Sequence, residues 1–101
     1  MTNIHQRIDQ LRATKFQKSV WHFTAIIPQG KTATYAQVAI AIGHPKAVRA
    51  VGNALNRNPL APEVPCHRVI RSGGAVGGFA SGIKKKLQLL RSEGYHLSNK
   101  R

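Results

Sequence analysis

Residues 34–56 read TYAQVAIAIGHPKAVRAVGNALN, and this stretch decides the fold. Thr34 followed by Gln37 has the spacing of a capping box, in which each side chain satisfies a backbone N–H at a helix start. The helix it opens runs through Val38 and Ile42, and Gly43-His44-Pro45 breaks it. A further helix is predicted from about Lys46 to Asn56, with Ala47, Val48, Val51 and Leu55 on its apolar stripe. Lys46, Arg49, Asn53 and Arg57 fall on the opposite face, with the small residues Ala50 and Gly52 close by. Two short helices joined by a glycine-containing turn are a helix-turn-helix candidate. Plain helical packing uses the same pattern. A basic outer face with small residues, which let a backbone approach a groove closely, tips the reading toward DNA.

Upstream, Ile4, Ile8 and Leu11 fall at i, i+4, i+7, a short leading helix with Arg7 and Arg12 outward. Thr14 and Gln17 repeat the capping-box spacing and open a helix carrying Phe16, Val20, Phe23 and Ile27 on one stripe, with Trp21 alongside. Pro28-Gln29-Gly30 stops it. Downstream, the proline-rich loop from Asn58 to Pro65 cannot stay helical and delivers Cys66-His67-Arg68-Val69-Ile70. Val69-Ile70-Arg71, Ser72-Gly73-Gly74 and Ala75-Val76 have the pattern of a small β-hairpin with a glycine turn. A loop around Phe79 follows, then a last helix with Ile83, Leu87 and Leu90 inward and Lys84, Lys85 and Lys86 at its start. Gly94 is placed to cap it. The fold class expected is mostly α with a small β-hairpin.

Composition narrows the partners. A chain of 101 residues has room for one modest core. Its 42% apolar, 6% aromatic and 19% charged residues are those of a globular domain, which argues against disorder, collagen and coiled coil. Sixteen Lys and Arg against three acids give a formal charge of +13, so most cations face solvent or a polyanion; nucleic acid is the default partner, and charge alone fits a ribosomal-type or merely soluble basic protein equally well. One cysteine, Cys66, excludes an internal disulfide and a multi-cysteine zinc cluster. No apolar run approaches the roughly twenty residues that cross a bilayer, and the first residues lack a signal-peptide core. The expected setting is a reducing compartment.

Two residues stand out chemically. Cys66 lies beside His67 and Arg68, and a neighbouring imidazole and positive charge favour the reactive thiolate. A buried structural cysteine next to an unrelated histidine has the same local sequence. In a strand the two side chains would point to opposite faces, so pairing them needs a turn or a bridging water. Glu93 is one of only three acids and sits at a helix C-terminus, where the macrodipole disfavours it. It also lies four residues after Leu89, near the buried side. Either it has a specific partner, such as an imidazole to orient, or it is an exposed carboxylate paired to Arg91 or a lysine.

Pro65-Cys66-His67-Arg68-Val69-Ile70 resembles the active-site signature of the O6-alkylguanine-DNA alkyltransferases, the methylated-DNA–protein-cysteine methyltransferases. The likeness extends from Phe16 to Gly94, nearly four-fifths of the chain. Thr34 to Ala39, Arg49-Ala50-Val51-Gly52, Asn58-Pro59, Gly77-Gly78-Phe79 and Glu93-Gly94 all fall in register. The resemblance implies a helix-turn-helix, winged-helix-like catalytic domain over residues 16–101, with residues 1–15 as a leader helix. It also implies that the family's usual ribonuclease-H-like N-terminal domain, with the zinc site found there in some members, is replaced by that leader.

The activity implied is suicidal alkyl transfer from O6-alkylguanine in double-stranded DNA, without metal or organic cofactor, by a monomer without membrane association, wherever the DNA is (cytoplasm, nucleoid or nucleus). By position, Cys66 is the alkyl acceptor, His67 the base acting through a water, Glu93 its orienter, and Asn58 the residue that ties the active-site turn together. Tyr35 is implied to contact and protonate the flipped guanine, Val69 to supply pocket backbone, and Arg49 to enter the base stack from a recognition helix in the minor groove. Ala50, Asn53, Lys46 and Arg57, with the Lys84–Lys86 run, complete the implied DNA contacts. Phe79 and Ala80 stand where the family usually has tyrosine and serine, so the pocket loop keeps an aromatic wall and loses two hydroxyls. The competing expectation is a lesion sensor similar to the alkyltransferase-like proteins, which bind alkylated guanine without repairing it. Those typically carry tryptophan at the position of Cys66.

Overall fold

Reciprocal side-chain bonds fix three helix starts in the computed structural model, which describes residues 3–61, 63–71 and 83–94. Asn3 and Gln6 cap α1 (Ile4–Asp9), Thr14 and Gln17 cap α2 (Lys15–Ala25), and Thr34 and Gln37 cap α3 (Tyr35–Ala41). The last two boxes are those predicted, and the Asn3 box adds a third. Gly43, with φ +84°, turns the chain after α3 in a conformation that disfavours other residues. The chain then enters α4 (Val48–Asn56), which packs on both α3 and α2. A 3₁₀ turn (Cys66–Arg68) and α5 (Ile83–Ser92) complete the described helices.

The core forms where the apolar stripes of these helices meet. Ile8, Val20, Val38, Val51, Val64 and Val69 have no solvent exposure. Each buried side chain of that size is worth roughly 1.5–3 kcal/mol over leaving it in water. Ile8 belongs to the same cluster as Val20 and Val51, so α1 packs into the common core. His5 stacks on His22, whose Nε2 lies 2.7 Å from Asp9 Oδ1, which ties α1 to α2 at the surface.

The sheet differs from the expected hairpin in one respect. Val69–Ile70 is β2, and its partner is β1 (Ala33–Thr34) in a two-residue parallel ladder, with Ala33 opposite Val69. Parallel pairing requires a long crossover, here the whole helix-turn-helix and its following loop, so no short-range sequence signal marks it. The hairpin's second arm lies outside the described residues. Two helix boundaries also shift. The fourth helix begins at Val48, leaving Lys46 in the preceding turn, and Ala54 takes the core position assigned to Val48, which is 39% exposed. In α5, Lys86 rather than Leu87 is the fully buried residue beside Leu90. Lys86 is four residues before the buried Leu90, so helical spacing places it on the inward stripe.

Trp21 locks α2 to α4. Its ring is 3% exposed and Nε1 donates to the Ala54 carbonyl at 2.8 Å. Trp21→Phe removes that bond and part of the packed volume. It should lower the unfolding free energy by about 1–3 kcal/mol in urea denaturation. A loss below about 0.5 kcal/mol would contradict this role.

Candidate functional site

The loop after α4 is folded by Asn58. Its Nδ2 donates to the Val64 carbonyl at 2.8 Å, and its Oδ1 accepts from the Leu60 N–H at 2.9 Å. The Val64 N–H returns to the Leu60 carbonyl, and the Cys66 N–H to the Val64 carbonyl. This self-bonded loop feeds the 3₁₀ turn Cys66–Arg68, so the cysteine and histidine do not alternate across a strand. Both are buried, at 6% and 1% exposure.

The next two residues of the turn converge on one carboxylate. His67 Nε2 lies 2.9 Å from Glu93 Oε2. Arg68 grips the same group with two prongs, Nε to Oε1 at 2.8 Å and Nη2 to Oε2 at 2.7 Å. Its third prong, Nη1, donates to the Ile27 carbonyl just after α2. Glu93 follows the last turn of α5 and precedes Gly94 at φ +89°. Gly30 approaches it from the other side: a Cβ there would sit 3.1 Å from the Glu93 carbonyl oxygen, and φ is +84°. The carboxylate therefore joins the 3₁₀ turn, the end of α5 and the turn after α2. Its partners are His67 and Arg68, and not Arg91 or a lysine.

Electrostatics follow from that arrangement. The Arg68 fork is the main cause holding the Glu93 carboxyl below its ordinary pKa, so it is ionised at neutral pH. Burial pushes His67 below its ordinary value and keeps the ring neutral, against the raising effect of Glu93. An ionised carboxylate only accepts, so the His67 Nε2 carries the hydrogen and Nδ1 carries the lone pair. Nδ1 is buried and has no hydrogen-bond partner among the described residues. Burial also raises the Cys66 thiol, partly offset by a hydrogen bond from Asn58 and by the charge of Lys86. A raised thiol needs a base to become a nucleophile, and His67 Nδ1 is one residue away.

Tyr35, at the start of α3, is half-buried, and burial raises its phenol. Its hydroxyl lies 3.4 Å from Lys86 Nζ, which also donates to the Val69 carbonyl at 2.6 Å. Tyr35 lines an open groove of about 610 Å³ together with Arg49, Gly52 and Asn53 of α4 and with Arg71. Arg49, Ala50 and Asn53 are exposed along α4, with Lys46 and Arg57 exposed just before and after it. Tyr35 thus joins the cationic helix face to Lys86 and, through the Val69 carbonyl, to the strand that follows the Cys66–Arg68 turn. Phe79 and Ala80 lie outside the described residues. Among the described residues no group of three potential metal ligands occurs, and no helix is long and apolar enough to cross a membrane.

The family model for the DNA-binding domain of 6-O-methylguanine DNA methyltransferase matches residues 15–95. The chain belongs to that family. A methylated-DNA–protein-cysteine methyltransferase of Methanosarcina acetivorans is 57% identical over 81 residues, covering 80% of this chain and 52% of that protein. The crystal structure of Mycobacterium tuberculosis OGT in complex with DNA superposes with a TM-score of 0.80 at 48% identity, covering 83% of this chain and 52% of that one. S. pombe Atl1, in complex with damaged DNA containing O6-carboxymethylguanine, gives a TM-score of 0.74 at 32% identity, covering 83% and 80%. The chain spans about half the length of the curated methyltransferases it matches.

Three contributors to this candidate site escape a reading by sequence. Arg68 was legible as a nearby charge, but its grip on a residue 25 positions away has no local signal. Arg71 and Gly30 are equally silent. Lys86 did carry a signal, its inward helical register, and it corrects the expectation that the whole Lys84–Lys86 run faces DNA: Lys84 and Lys85 are exposed and Lys86 is fully buried.

The carboxylate clasp makes a pH prediction. Glu93 is depressed in the fold, so its stabilisation is present above the unfolded carboxyl value, about 4.5, and is lost as pH falls through the lower folded value. His67 is also depressed, so keeping it neutral costs stability progressively below about 6.5. Glu93→Gln should be less stable than wild type by about 1.5–3 kcal/mol at pH 7. In urea denaturation the gap should narrow as pH drops below 4.5. A gap that stays constant down to pH 3 would contradict the clasp.

Proposed function

We propose that this chain repairs DNA by stoichiometric transfer of an alkyl group from O6-alkylguanine to Cys66. The observation that carries the reading is the His67 ring, next in sequence to the only cysteine of the chain, committed through Nε2 to an ionised Glu93 and left with a buried Nδ1 lone pair. His67 takes the Cys66 proton through a water. The thiolate then attacks the alkyl carbon as the carbon–O6 bond breaks, and that electron pair passes to the guanine. Tyr35 supplies a proton to the departing base. The product is a thioether at Cys66, which no group of the site reverses, so each molecule acts once.

Reaching O6 requires the nucleotide to leave the duplex, at a cost of a few kcal/mol. Arg49, exposed on α4 at the groove that also holds Tyr35, fills the vacated stack from the minor groove. Ala50 permits close approach of the helix, while Asn53, Lys46 and Arg57 contact the flanking backbone. Val69 offers pocket backbone, and Phe79 and Ala80 wall the base. Phosphate neutralisation supplies affinity without sequence preference, which suits a lesion that can lie anywhere. In this reading residues 16–101 form the catalytic domain and residues 1–15 a leader, and the domain acts as a monomer on double-stranded DNA wherever it lies in the cell.

The similarity to S. pombe Atl1, matched over most of both chains, favours a second reading, a lesion-binding sensor without transfer. The retained cysteine and the His67–Glu93 pair support the enzyme instead. Incubation with duplex DNA containing O6-methylguanine should add one methyl group to the intact protein, located on Cys66 by peptide mass spectrometry. Cys66→Ser should bind the same duplex and gain nothing. Tight lesion binding by wild type with no mass change would select the sensor.

A further inference from the structure

Lys86 occupies a position that a lysine enters only at a cost. Its side chain has no solvent exposure, and moving an ammonium out of water is unfavourable unless its surroundings compensate. Methionine or leucine on the same helical stripe would fill the volume without that cost. The ammonium instead meets oxygens of two different segments. It donates to the Val69 carbonyl of β2 at 2.6 Å, and lies 3.4 Å from the Tyr35 hydroxyl and 5.6 Å from the centre of the Tyr35 ring. Both segments border Cys66: β2 continues directly from its turn, and Tyr35 follows Thr34, which pairs with Ile70.

We propose that Lys86 is the buried counter-cation of the Cys66 thiolate, a positioning residue that also fixes the Val69 carbonyl and the Tyr35 hydroxyl around the reacting sulfur. This role rests on Cys66 being the nucleophile and goes beyond the relay through His67, which removes the proton but leaves the thiolate charge to be stabilised. The charges act on each other: the ammonium favours thiolate at Cys66, and the thiolate favours the protonated amine. Burial brings Lys86 down to about 8, so it is still cationic at neutral pH. Arg71 opposes its charge, and Lys86 in turn opposes protonation of His67. Among the described residues, the titratable groups around Lys86 are Tyr35 from α3, Cys66 and His67 from the 3₁₀ turn, and Arg71 after β2. When the thiolate becomes a neutral thioether, the anion that held the Lys86 proton is gone.

The test needs no DNA, which separates it from the repair reading. The rate of Cys66 alkylation by iodoacetamide is measured against pH for wild type, Lys86→Met and Lys86→Arg. Lys86→Met should react about tenfold more slowly at pH 7, its profile moved to higher pH and converging with wild type once the thiol is fully ionised. Lys86→Arg, which keeps the charge, should recover most of the neutral-pH rate. A folded Lys86→Met with the wild-type profile would overturn the proposal, since loss of packing alone would not move a thiol titration selectively. Should Lys86→Met fail to fold, wild type with ¹³C-labelled lysine decides the matter. Capping Cys66 with methyl methanethiosulfonate should move the Lys86 titration below about 8, and an unchanged midpoint would overturn the proposal. Success here combined with failure to take a methyl group from DNA would leave the counter-cation intact and remove only the repair reading.

Discussion

One carboxylate, shared between a histidine and an arginine, governs the arrangement of the site. Glu93 accepts from His67 Nε2 and from two nitrogens of Arg68, while the remaining guanidinium nitrogen reaches the Ile27 carbonyl. Three segments distant in sequence are thereby held together. The bidentate fork matters as much as the charge, because it fixes the carboxylate plane and keeps it ionised. An ionised acceptor at Nε2 sets the His67 tautomer, and that leaves the basic lone pair on the side of the ring away from Glu93. The Asn58 loop supplies the other half of the geometry by setting the turn on which Cys66 and His67 sit.

Scarcity of acids gives the surface its character. All three are engaged: Asp9 with His22, Glu63 with Arg7, and Glu93 at the site. Of the cations, Arg7 and Arg68 are neutralised by these pairs, and Lys86 is turned inward. Exposed basic residues before, on and after α4, together with Lys84 and Lys85, leave a surface suited to a polyanion. Membership of the alkyltransferase family and the DNA-bound structures among its neighbours agree with that surface.

What could be read from the sequence was whatever is encoded within a turn or two of chain. The boxes at Thr14 and Thr34 each need only four residues, and both formed as read. The hexamer from Pro65 to Ile70 marked the site because its residues are contiguous. Glu93 was conspicuous because its position opposed the helix dipole, although sequence left its partner open. The parallel partner of Val69–Ile70 lies more than thirty residues away and has no periodic signature. Arg68 was hidden for the same reason, since its fork closes across tertiary structure. Lys86 is hidden for a different reason: its residue type points to solvent while its helical register points inward, and a buried ammonium is rare.

The His67 ring is neutral, and its lone pair sits on Nδ1 because Glu93 holds Nε2–H. Nitrogen-15 NMR of histidine-labelled protein at pH 7, with the His67 signals assigned by their loss in His67→Asn, reads that state directly. The expected spectrum has a protonated Nε2 and an unprotonated Nδ1 at His67, with the ring uncharged. A hydrogen on Nδ1, or an imidazolium at that pH, would contradict it.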